Sequence, residues 1–194
     1  MSRRKPGMAT RPDRETSDYY PTPPEITRAL LERETFPGSI LEPACGSGEL
    51  SEELLSAGYD VHSSDLHDRG YGETGSNFLH ISELPGGVES IVTNPPFKLA
   101  REFVLHSLRL RPRKIALFAR LALLEGGRRY REIFAEHPPS RVWVFSKRVT
   151  LYPAGSQGGR RESGYMAFAW YVWEPMTFRG ADPATRLHWI YEES

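Results

Sequence analysis

Ser39-Ile40-Leu41-Glu42-Pro43-Ala44-Cys45-Gly46-Ser47-Gly48 is the stretch that decides the fold. Ser39 to Pro43 is short and apolar, as a buried strand is, and two glycines then mark a turn. A helical pattern follows from Glu49 to about Ala57. Strand, glycine turn and helix make the layout of a nucleotide-binding βα unit, because glycine permits the tight turn and lets the backbone approach a ligand closely. It is not the dinucleotide fingerprint, since Glu49-Leu50-Ser51 stands where a third glycine would be.

The same alternation continues outward. Tyr59 to Ser64 reads as a second strand ending at Asp65, and Asn77-Phe78-Leu79 as a short third one. Glu89 to Thr93 is a fourth strand entering Asn94-Pro95-Pro96-Phe97, and Lys98 to Arg109 is a helix with Ala100, Phe103, Val104 and Leu108 at helical spacing. Lys114 to Leu121 is a fifth strand and Arg128 to Glu136 a helix. Arg141 to Val149 and Tyr165 to Trp173, rich in Val, Phe and Trp, read as an antiparallel pair. Upstream, Thr22 is placed to cap a helix from Pro23-Pro24 to about Glu34, with Glu25 completing a capping box. The pattern predicts an α/β fold: a mostly parallel seven-stranded sheet with one antiparallel strand near the C-terminus and helices on both faces.

Residues 1–17, polar and basic, read as a disordered tail, and 18–194 as a single domain without a large target-recognition domain. No run of ~18 apolar residues occurs, so no membrane span is expected. The single cysteine excludes an internal disulfide and fits a reducing cytoplasm. The six histidines are scattered, and no metal site is expected. A formal net charge of zero hides an asymmetry: residues 31–97 hold 12 acids and 2 bases, residues 98–161 hold 15 bases and 4 acids. The basic half suits a polyanion such as nucleic acid, the alternative being solvated helix faces pointing different ways.

Asn94-Pro95-Pro96-Phe97 carries the chemistry. Two prolines fix the backbone and cannot donate hydrogen bonds, while their carbonyls still accept. Asn94 adds a directed acceptor and Phe97 a flat face, a set that suits gripping an exocyclic amino group on a planar ring.

Together, the glycine turn and the Asn94 motif resemble the S-adenosylmethionine-dependent amino-methyltransferases that act on adenine. The resemblance covers roughly residues 18–175 and implies the Rossmann-like class I methyltransferase fold. It implies that Glu42 approaches the cofactor's amino group and that Pro43, Ala44, Cys45, Gly46 and Gly48 line its methionine and ribose portion. Asp65 would accept both ribose hydroxyls, the other reading being a surface turn. Asn77 and Phe78 would hold the cofactor adenine, with Asn where the family usually has an acid. Tyr20-Pro21-Thr22-Pro23 resembles the segment that holds the methionine end, with Tyr20 and Thr22 as contacts; its other reading is the helix cap. Cys45, taken by itself, is a small packing residue.

By the same resemblance the Asn94 side-chain oxygen and the Pro95 carbonyl accept the two N–H bonds of an adenine amine. Pro96 stiffens the corner, and Phe97 stacks on a base taken out of its duplex. Asn at the first position goes with adenine, whereas Ser goes with cytosine. The motif also occurs in ribosomal-RNA and protein-glutamine methyltransferases, so these remain alternatives, as does a non-catalytic nucleic-acid-binding protein on the same fold. Lys147, Arg148, Arg160 and Arg161 bracket the loop 152–159 and read either as phosphate contacts or as charges on a soluble hairpin. The expected partner is DNA, with RNA as the alternative. In the class with this motif order a target-recognition domain normally follows, yet only about 20 residues come after Trp173. The chain therefore looks most like the compact DNA adenine-N6 methyltransferases of phages and prophages, with short or relaxed sequence specificity.

Overall fold

The computed structural model describes residues 19–152, 166–174 and 184–191. The expected tail 1–17, the loop from Pro153 onward, Arg160 and Arg161 lie outside the described residues.

The strands are β1 (Ser39–Glu42), β2 (Val61–Asp65), β3 (Glu73–Thr74), β4 (Val88–Thr93), β5 (Lys114–Arg120), β6 (Arg141–Phe145), β7 (Phe168–Trp173) and β8 (Arg186–Ile190). They form one sheet in the order β3-β2-β1-β4-β5-β7-β6-β8. Only β7 is reversed: it pairs antiparallel with β5 and with β6, and every other pairing is parallel. The chain leaves β1 toward β2 and β3 and returns on its other side as β4, pairing Leu41 with Ile91. Strand order thus reverses between β1 and β4, and a crevice opens outside the carboxyl ends of such strands. The glycine turn after β1 and Asn94 after β4 both empty into that crevice.

Helices α1 (Pro24–Leu31) and α2 (Glu49–Ser56) cover one face, packing Ile26, Leu30, Leu50 and Leu54 on Ile40, Val92, Phe118 and Trp170. Helix α3 (Ala100–Leu110) covers the other, packing Phe103 and Val104 with Leu41, Ile91, Ile115, Leu117 and Tyr171. Successive residues of β5 alternate between the two cores, the period of two that a strand enforces. This explains why Ile115 to Ala119 is apolar throughout: a parallel strand buried on both faces has no polar side to show. Each buried indole also finds an acceptor, Trp170 Nε1 on Ile26 O at 2.9 Å and Trp173 Nε1 on His137 O at 3.0 Å.

Four local expectations are corrected. Among the described residues the sheet has eight strands rather than seven, because Glu73–Thr74 takes the place of the expected third strand and Arg186–Ile190 adds an edge strand parallel to β6. Asn77-Phe78-Leu79 is not a strand: the Asn77 side chain accepts from Leu79 N at 3.0 Å and winds Phe78–His80 into a 3₁₀ turn. Thr22 does not cap α1, which starts after Pro23 with no side-chain cap bond. Finally, the segment expected as a helix from Arg128 is one helical turn, Gly127–Arg129, running into π-helical Tyr130–Phe134.

After α1 the chain delivers Glu34 to a buried charge cluster. Glu34, 5% exposed, accepts from Lys114 Nζ (2.6 Å), Arg141 Nε (2.5 Å) and Trp143 Nε1 (2.7 Å), tying α1 to β5 and β6. Burial pushes its carboxyl up, but the three donors outweigh burial and hold it below the usual range. Removing this charge would leave Lys114 and Arg141 with Glu174 alone as carboxylate partner. Glu34→Gln is therefore expected to lower the unfolding free energy by roughly 3 kcal/mol, read from the urea midpoint at unchanged m. A loss under about 0.5 kcal/mol would show that the cluster contributes no net stability.

Candidate functional site

A cleft of about 900 Å³, partly open to solvent, lies at the carboxyl ends of β1, β2 and β4. Pro43 and Ala44 form its wall after β1, Asp65 its wall after β2, and Asn94 to Phe97 its wall after β4. Tyr20, Asn77 and Phe78 complete it, so ten of the residues singled out in the sequence meet on one cleft. Thr22, Glu42 and Cys45 line a smaller adjoining recess of about 210 Å³, which Asn94 shares.

The glycine turn is held from two sides. Gly46 N donates to Asp65 Oδ2 at 3.0 Å, and His67 N donates to Asp65 Oδ1 at 2.8 Å, so the carboxylate is fixed while each oxygen keeps further lone pairs. Gly46 (φ 58°) and Gly48 (φ 98°) are left-handed, and a Cβ on either would run into a tyrosine ring, Tyr19 at Gly46 and Tyr71 at Gly48. Tyr19 closes over the turn: its hydroxyl accepts from Ser47 N at 2.6 Å, and the Arg69 guanidinium sits 3.9 Å from its ring centroid. Arg69 lines the cleft with its Nε buried and unpartnered.

Asn94 is positioned most tightly of all. Its Nδ2 donates to Tyr20 O at 3.1 Å and to Thr22 Oγ1 at 3.0 Å. Both amide hydrogens are thereby engaged, which assigns the amide orientation and leaves Oδ1 as the side chain's acceptor. The hydroxyl expected to cap α1 thus serves Asn94 instead, 72 residues away. Phe97 is not a bare stacking face. Its ring packs on Tyr20 (5.5 Å, 27° between planes) and on Phe168 (5.5 Å), and the Arg120 guanidinium lies 4.7 Å from its centroid. These neighbours hold the ring while Phe97 still lines the cleft.

Glu42 is 1% exposed and accepts from Ser51 Oγ, and among the described residues no Lys or Arg forms an ion pair with it. Burial, with Glu49 and Asp65 nearby, pushes its carboxyl up to about 8 despite the Ser51 bond. Burial likewise raises the Cys45 thiol to about 12, which disfavours the thiolate form. Asn77, whose oxygen the resemblance would offer to a bound adenine, accepts from Leu79 N and keeps a second lone pair on that oxygen, while its NH₂ adds donors. Lys147 and Arg148 follow β6, which is parallel to β5, and so leave the sheet on the same edge as Asn94. Lys147 Nζ stands 5.6 Å from the Tyr191 ring centroid. Among the described residues no group of three His, Cys, Asp or Glu side chains could hold a metal, and no helix is long and apolar enough to cross a membrane.

Sequence reasoning passed over Tyr19, Arg69 and Arg120. Arg69 had a signal, being one of only 2 bases among residues 31–97. Tyr19 and Arg120 had none, because their roles depend on contacts with Ser47 and Phe97 far along the chain.

The chain's fold is that of solved methyltransferases. A candidate RNA methyltransferase from Pyrococcus horikoshii matches with a TM-score of 0.56 at 16% identity, over 84% of this chain and 89% of that one. A modification subunit of a candidate type I restriction enzyme from Vibrio vulnificus matches with a TM-score of 0.55 at 15% identity, over 81% of this chain. A candidate class I S-adenosylmethionine-dependent methyltransferase from Listeria monocytogenes gives 0.55 at 12% identity, over 86% of this chain. This chain spans 45% of the Vibrio protein and 63% of the Listeria protein. No family model matches the sequence, and no curated protein is similar to it in sequence.

The raised Glu42 carboxyl has a consequence for stability. Between the unfolded value near 4.3 and the folded value of about 8, the native chain holds a proton that the unfolded chain has lost, so stability falls as pH rises through that window. Glu42→Gln keeps the shape of the protonated form. Its melting temperature is expected to equal that of the parent near pH 5 and to exceed it by roughly 5–10 °C near pH 8.5, on the order of 3 kcal/mol. A constant difference across that range would contradict the assignment.

Proposed function

We propose that this chain is an S-adenosylmethionine-dependent DNA methyltransferase that modifies the N6 amino group of adenine, with short or relaxed sequence specificity. The observation that carries the reading is the orientation of Asn94. With Nδ2 held by Tyr20 O and Thr22 Oγ1, Oδ1 is the end of the amide left to accept, and Asn94 and Pro95 both line the cleft. An amide in the opposite orientation would present donors, which an amino group cannot use.

The residues present fit the cofactor. Asp65 has lone pairs left for the ribose hydroxyls, and Pro43 and Ala44, which lead into the glycine turn, line the cleft beside it. Glu42, buried and in no ion pair with a described Lys or Arg, supports a site for the ammonium of the methionine end, which would draw its proton away. Asn77 and Phe78 would flank the adenine, with the Asn77 NH₂ as donor to a ring nitrogen. S-adenosylmethionine, when bound, supplies a methyl group already activated on a sulfonium.

The chain's own task is then the amine. Its lone pair is delocalised into the ring, which makes it a weak nucleophile. Asn94 Oδ1 and Pro95 O accept its two N–H bonds, favour the pyramidal nitrogen and stabilise the positive charge that develops there. Two prolines keep these oxygens in place at little cost when the substrate arrives. No side-chain base is required, because the nitrogen sheds its extra proton only after it has become cationic.

The DNA substrate rests on the basic second half of the sequence and on Lys147 and Arg148 at the same sheet edge. Incubation with labelled methyl donor and DNA, ribosomal RNA or total cell protein, followed by nucleoside and amino-acid analysis, decides the acceptor. N6-methyladenine in DNA is expected; label in cytosine, in RNA alone or in protein glutamine contradicts it. Asn94→Ala is expected to lower transfer by roughly 10³-fold or more while calorimetry shows cofactor affinity nearly unchanged. Thr22→Val removes one of the two bonds that orient the amide and is expected to cost roughly tenfold in kcat. Equal loss of cofactor binding in both variants would show that this segment holds the cofactor and not the amide.

A further inference from the structure

We infer that Arg120 binds a backbone phosphate of the polynucleotide whose base enters the cleft, a step that rests on the nucleic-acid reading above. A second groove, of about 530 Å³, shares the Phe97 wall with the cleft. It is bounded by Lys98, Arg101, Arg120 and Arg129, with Ala119 and Leu123 as its apolar floor, and no carboxylate lines it.

The arginines there are not equivalent. Arg101 is paired with Glu102 and Glu132. Arg129 donates to Ala122 O at 2.9 Å and to Glu125 O at 2.5 Å. Arg120 has neither kind of partner: its Nε is buried without an acceptor, and no acid among the described residues pairs with it. What it touches is the Phe97 ring, at 4.7 Å from the centroid. A guanidinium with unfilled donors, in a groove free of carboxylates, calls for an anion, and its planar fork fits a phosphate in two parallel bonds.

The position identifies which phosphate. Phe97 forms part of both hollows, so a base in the cleft and a phosphate in the groove lie on either side of one residue. A polynucleotide fills both at once; a free nucleobase or a peptide amide has nothing to place in the groove. The charge-assisted phosphate contact outweighs a single ring contact, so a phosphate in the groove takes the guanidinium while the base occupies the cleft on the other side of Phe97.

The test measures duplex binding and transfer kinetics against salt concentration for the parent, R120Q and R120K. R120Q is expected to weaken DNA binding about tenfold and to lower the slope of log K against log salt by about 1, with cofactor affinity unchanged by calorimetry. R120K keeps the charge and the slope and loses only the forked contact, which preserves the comparison if the glutamine variant does not fold. A purely structural role beneath Phe97 would reduce kcat and leave the salt slope intact, and that result overturns the assignment while the methyltransferase reading stands. Single neutral methylphosphonate linkages supply a second check. The linkage that weakens the parent's binding is expected to have no effect on R120Q; additive losses overturn the contact. A parent protein that neither binds nor modifies any polynucleotide overturns this inference together with the reading it rests on.

Discussion

Asn94 carries two amide hydrogens, and both are engaged inside the protein, on Tyr20 O and Thr22 Oγ1. That pair of bonds connects three levels of the structure. It fastens the segment before α1 to the end of β4, it sets the orientation of the amide, and it leaves Oδ1 as the side chain's acceptor. Each bond is worth only about 1 kcal/mol of stability, yet their directional effect is larger than their energy suggests. Without them the amide could rotate and exchange its donor and acceptor ends.

The sheet topology supplies the setting. Because strand order reverses between β1 and β4, the glycine turn and the Asn94 corner are neighbours although 46 residues separate Gly48 from Asn94. The charge asymmetry of the sequence maps onto this arrangement. Acids from the first half, Glu42, Glu49 and Asp65, gather at the turn after β1, where a positively charged cofactor would be welcome. Bases from the second half, Arg101, Arg120 and Arg129, surround the groove beyond Phe97. Phe97 stands at the divide between the two, with Tyr20 and Phe168 packed on its ring.

Much of this was legible in the sequence, for reasons specific to each element. Parallel strands buried on both faces write themselves as unbroken apolar runs, so Ile40-Leu41, Ile91-Val92 and Ile115 to Ala119 could be located directly. Gly46 and Gly48 were legible because a left-handed turn admits little else. The edge strand β8 was not, since Leu187 and Trp189 face outward at 45% and 64% exposure and no inward apolar face declares itself. Asn77 misled because a capping side chain closes a 3₁₀ turn where the apolar pattern reads as strand. Thr22 misled in the opposite way: its local spacing fits a capping box, but a partner from β4 claims the hydroxyl. Tertiary hydrogen bonds of that kind have no signature in a single sequence.

The most direct measurement is a crystal structure with S-adenosylhomocysteine and a short oligonucleotide containing adenine. The account predicts an exocyclic amino nitrogen about 3 Å from both Asn94 Oδ1 and Pro95 O, with Nδ2 still on Tyr20 and Thr22. An Asn94 amide turned the other way, donating to the base or released from Thr22, would contradict it.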